Sequence, residues 1–156
     1  MQGSTEFQAI LFPADDRMPH LVSLATTPLP TSGRCDVAEP YRCGRLPHPE
    51  VFMDYIADGA GPSACGYRVI ETLDGMSEKF SMPWVLFYPV ISRDGMPFPE
   101  NAFARAVQGP QFFEETRAWR GNLVVVKYRD LQYSAMINAS MADFPLIKNW
   151  LQTHRV

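Results

Sequence analysis

The run Trp84-Val85-Leu86-Phe87-Tyr88-Pro89-Val90-Ile91 carries apolar side chains at both odd and even positions. A strand sends successive residues to opposite faces, so both faces of this one must be covered. Leu123-Val124-Val125-Val126 repeats the pattern. Two such strands call for a sheet with layers on both sides and place these segments in its interior. A helix between them would make them adjacent and parallel.

Around this centre the chain reads as α+β. Residues 7–12 and 21–26 form an N-terminal hairpin around the Pro13–Pro19 turn. From about 27 to 49, Pro28, Pro30, Pro40, Pro47 and Pro49 break all periodicity and mark a long Pro-rich loop. Val51, Phe52, Tyr55 and Ile56 recur at helical spacing. Tyr67, Ile70, Leu73, Met76 and Phe80 do so again, although Gly75 weakens that helix and a hairpin turning at Leu73-Asp74-Gly75-Met76 is the rival. A short helix is expected over 100–107, ending at Gly109. The closing helix, from about Phe144 to His154, has Ser140 or Asp143 to cap it, Pro145 in its first turn, and the apolar stripe Phe144, Ile147, Trp150 and Leu151. The expectation is one domain spanning 1–156, with a mixed sheet of about four to five strands (the hairpin plus two central strands) packed with helices.

Composition narrows the function classes. At 156 residues the chain can bury a core without staples. A net charge of −3 argues against a surface that tracks phosphates, so nucleic acid is a poor partner. No apolar run approaches the length of a membrane helix. The first residues lack the basic and apolar regions of a signal peptide, which makes a cytoplasmic location the expectation. Residues 2–7 also read as a linker remnant, and no argument rests on them.

Cys35, Cys43, His48 and Cys65 are the set closest to a metal site. Three thiolates and an imidazole suit zinc, but the spacing C-x7-C-x4-H-x16-C lacks the close pairs that one tight turn presents. No metal and no cofactor is therefore expected. Arg34, Arg42 and Arg45 flank the first two cysteines and would favour a reactive thiolate; arginines also sit on loops simply to solvate them. G-x-S-x-G, H-E-x-x-H and Gly-rich phosphate loops are missing.

Two functional readings remain. The first is a binding protein, for a protein partner or a second copy of itself as a homodimer, with a small-molecule ligand also open. It uses the aromatic- and arginine-rich loops after the central strand, with Arg93, Phe98, Trp119 and Arg120 as binding residues. Phe98, between Pro97 and Pro99, and Trp119, between Arg117 and Arg120, are the aromatics hardest to assign to a core. The second is a small hydrolase or isomerase with Asp94 and Glu100 as carboxylates and His48 as base at the same end of the sheet. Against it, Asp94-Gly95 is an ordinary turn pair and Glu100 suits a helix's first turn.

Overall fold

The computed structural model describes residues 5–27, 46–47, 55–56, 65–90, 95–131 and 136–156. Within them lie strands β1 (Thr5–Phe12), β2 (His20–Thr27), β3 (Leu46–Pro47), β4 (Cys65–Ile70), β5 (Trp84–Pro89), β6 (Leu123–Tyr128) and β7 (Met136–Ile137). Two α-helices accompany them, α1 (Ala102–Phe112) and α2 (Phe144–Thr153). The strands form one sheet in the order β3-β2-β1-β6-β5-β4, with β7 paired to β6 alongside β1. Among the described residues no helix is long and apolar enough to cross a membrane.

The α+β architecture expected from sequence is present: an N-terminal hairpin, two adjacent interior strands and helices packed on the sheet. The sheet is larger than expected, and every pairing among the described residues is antiparallel rather than mixed. β6 lies between β5 and β1, as its double apolar face requires. Alternate residues feed two cores. Ile10, Phe12, Leu86, Leu123 and Val125 join Ile147, Trp150 and Leu151 of α2 on one side. Ala9, Leu11, Val85, Phe87, Val124 and Val126 pack with Leu24 and Ile56 on the other. Phe144 packs against the first core, so the closing helix uses the stripe read from its sequence.

β5 and β6 are antiparallel despite the helix between them, because the chain returns to where it left. After β5 it runs out along α1 and comes back through residues 113–119. Glu100 and Arg120 then form an isolated bridge, and Gly121 N donates to Pro99 O at 2.7 Å. Residues 100–120 are thus an excursion closed at its base, and β6 begins beside the end of β5 (Phe87 opposite Val124). Glu100 belongs to this bridge. The helix starts after Asn101, whose side chain accepts from Ala104 N at 3.0 Å, and it is interrupted at Gly109.

The helix expected over 67–80 is instead strand β4 followed by a turn, the rival geometry. Met76 N donates to Leu73 O at 3.1 Å, and Gly75 has a φ of 87°, which no helix accommodates. Ile70, Leu73 and Phe80 do meet on one core. The strand end and the turn fold over Trp84 to bring them there, with Phe80 edge-on to that indole at 4.9 Å. Almost all of the helix expected around Val51–Ile56, and of the Pro-rich loop, lies outside the described residues.

Candidate functional site: a cavity at the base of the excursion

The excursion's base is built around Asn101, which is completely buried. Its Nδ2 donates to Phe12 O at 3.0 Å and Gly121 O at 2.9 Å, and its backbone N–H to Trp119 O at 2.8 Å. One amide side chain therefore ties together the end of β1, the start of α1 and the strand returning toward β6. Gly121 packs directly against this base with a φ of 74°. A Cβ there would lie 2.6 Å from Pro89 Cγ and 3.5 Å from Phe98 Cβ, so only glycine lets the two segments approach this closely.

Above this base lies a cavity of about 400 Å³. Pro89 and Val90 form one wall, the 95–98 segment with Met96 and Phe98 another, and Arg120 the edge. Its apolar residues are unusually open: Val90 is 51% and Met96 65% exposed. Phe98 is half-buried. The Arg120 guanidinium donates to Phe98 O at 3.1 Å and approaches Glu100 Oε2 at 3.7 Å. The other carboxylate oxygen of Glu100 is held by Arg105 at 2.6 Å. Arg105 lines a second cavity of about 560 Å³ at the helix break, where its guanidinium lies 4.6 Å over the Phe113 ring.

Trp119 is not at this surface. It is 2% exposed, and its Nε1 donates to His154 O at 2.9 Å. Its ring meets Tyr88 edge-on at 5.3 Å and Trp150 at 5.8 Å. Arg68 lies against both indoles, at 6.0 Å from Trp119 and 5.5 Å from Trp150, and donates to Arg155 O at 2.9 Å. The surface position expected of Trp119 is therefore corrected. Extended backbone turns neighbouring residues to opposite sides, so Arg120 reaches the cavity while Trp119 fills the core.

Of the other residues singled out from sequence, Arg93, Asp94, Cys35, Cys43 and His48 lie outside the described residues. Glu100 is engaged by two arginines. Cys65 packs on the sheet face away from α2, where burial pushes its thiol up to about 12 and keeps it protonated. Among the described residues no group of three or more His, Cys, Asp or Glu side chains is placed to hold a metal ion. Sequence reasoning missed Pro89 and Val90 as cavity wall, having assigned them to the central strand. It also passed over Asn101, although Asn just before Ala-Phe-Ala is a recognisable N-cap signal.

Compared with protein-family models, curated proteins and solved structures, the chain shows no significant match to any of them.

Proposed function

We propose that this chain is a non-catalytic binding protein. It takes an apolar side chain of a protein partner into the cavity between Val90, Met96 and Phe98, with Arg120 at the edge. One observation carries this reading: a preformed concavity whose apolar walls stay open to solvent and which, among its described lining residues, has a single charged one, with donors to spare. Exposed apolar surface around a few placed polar groups is what docking sites present. Pro97 and Pro99 fix two φ angles of the wall, which lowers the entropy lost when a partner orders it.

The test is selection of phage-displayed peptides on the folded protein, with affinities then measured on Phe98→Ala. Selected peptides should carry an apolar anchor and lose roughly 2 kcal/mol or more of binding on that variant, as an interface anchor does. Its thermal midpoint should fall only slightly. Peptides that bind wild type and Phe98→Ala equally would end the proposal.

A further inference from the structure

Resting on that docking role, we infer that the segment this cavity accepts is acidic, with a carboxylate beside the apolar anchor that pairs with Arg120. A guanidinium has five N–H donors. Among the described residues, Arg120 makes one hydrogen bond, to Phe98 O, and its approach to Glu100 at 3.7 Å is an ion contact beyond hydrogen-bond reach. The described carboxylate nearest to it is committed elsewhere. Glu100 Oε1 is 2.6 Å from Arg105, which lies over Phe113. Among the described residues one negative charge thus faces two guanidiniums, and the surplus positive charge is on the one that lines the cavity.

The setting decides what that charge recognises. Arg120 is only 32% exposed, and its described neighbours in the cavity wall are apolar side chains and Gly95. A planar carboxylate matches the guanidinium fork bidentately, and the partly dry surroundings strengthen the pair relative to bulk water. Nucleic acid would need a row of cations following its phosphates, and the chain as a whole is negative. A single acid next to an apolar side chain fits one spare guanidinium next to an apolar wall.

Two fluorescent pools of short random peptides, each with a fixed Leu-Phe pair flanked by Glu in one pool and Gln in the other, test this by anisotropy. The Glu pool should bind wild type about three- to tenfold tighter at low salt, with the gap narrowing as salt rises. Arg120→Gln should erase the difference, Arg120→Lys should keep part of it, and Glu100→Gln should enlarge it. Thermal melts of each variant verify folding, and the Lys variant still decides the matter if the Gln variant is unstable. If both pools bind wild type equally while Phe98→Ala weakens both, the acidic preference is overturned and the docking cavity survives. If neither pool binds and the protein is monomeric, or Phe98→Ala changes nothing, the docking reading itself falls. If neither binds and the protein forms a dimer that Phe98→Ala dissociates, the occupant is a second copy, and the acidic inference is overturned.

Discussion

Two regions of this molecule are made of the same materials and do different things. In one, Arg68 is layered against Trp119 and Trp150, and His154 stacks on Trp150 at 4.2 Å. In the other, Arg120 edges a cavity walled by Val90, Met96 and Phe98. Arginine and large apolar side chains are what binding surfaces favour, so both regions would score as interfaces on composition. The difference is what happens to the donors and the rings. The first region is closed by residues 154–156: His154 O accepts from Trp119 Nε1 and from Gln108 Nε2, and Arg155 O accepts from Arg68. In the second, among the described residues, one guanidinium nitrogen is satisfied, the acid nearest it is shared, and the apolar walls face water. A binding surface is therefore recognised by unused capacity rather than by residue type.

The largest effect that would break the contrast is at Trp119. Trp119→Ala should cost about 3–5 kcal/mol of stability, as loss of a fully buried aromatic does. A denaturation midpoint that stays put would show that the indole is surface after all. Asn101 underlies both regions through Trp119 O and Gly121 O. Asn101→Ala removes an N-cap and leaves buried carbonyls without donors, so about 2–4 kcal/mol should be lost in chemical denaturation. A smaller cost would mean that water replaces the amide.

A finer comparison uses two tryptophans of the same core. The Trp119 indole N–H is bonded, whereas that of Trp84 is buried and finds no hydrogen-bond partner among the described residues. Trp119→Phe should therefore cost more than Trp84→Phe by about 1 kcal/mol, because only the first loses a hydrogen bond, His154 O keeping Gln108 Nε2 as its other donor. Equal costs would place the strength of the layer in ring packing alone.

The smallest effect concerns the other face of the sheet and serves as a control. The Cys65 thiol is pushed up to about 12 from an ordinary value of 9.0. Between those values the folded protein keeps a proton that the unfolded chain releases, so stability falls as pH rises through that window and is unaffected below it. Cys65→Ala should flatten that part of the stability–pH curve. An identical slope in the variant would assign the alkaline loss to other groups.

How much of this could be read from the chain differs by element. The interior position of β5 and β6 was legible because apolar residues at both parities leave no face for water. The closing helix was legible because cap, proline and stripe agree. The segment over 67–80 misled because its apolar spacing of three to four residues also arises when a strand and a turn fold onto one ring. At the cavity, Phe98 and Arg120 were identified from their proline and aromatic surroundings. Pro89 and Val90 were not, since a strand's last residues look the same whether another layer or a cavity lies beyond them.

By itself, then, the sequence determined which segments are buried on two faces, where the chain turns, and which helix lies over the sheet. These are local properties, written in side-chain period and in glycine and proline. Only the tertiary structure decided that β5 and β6 run antiparallel, that Trp119 faces inward while Arg120 faces the cavity, and that Glu100 is spent on Arg105. Each of those depends on contacts between residues far apart in the chain: the Glu100–Arg120 bridge, the Asn101 amide and the carbonyls of residues 154–155. Local periodicity records how often a residue faces a core. It does not record which distant group will be waiting there.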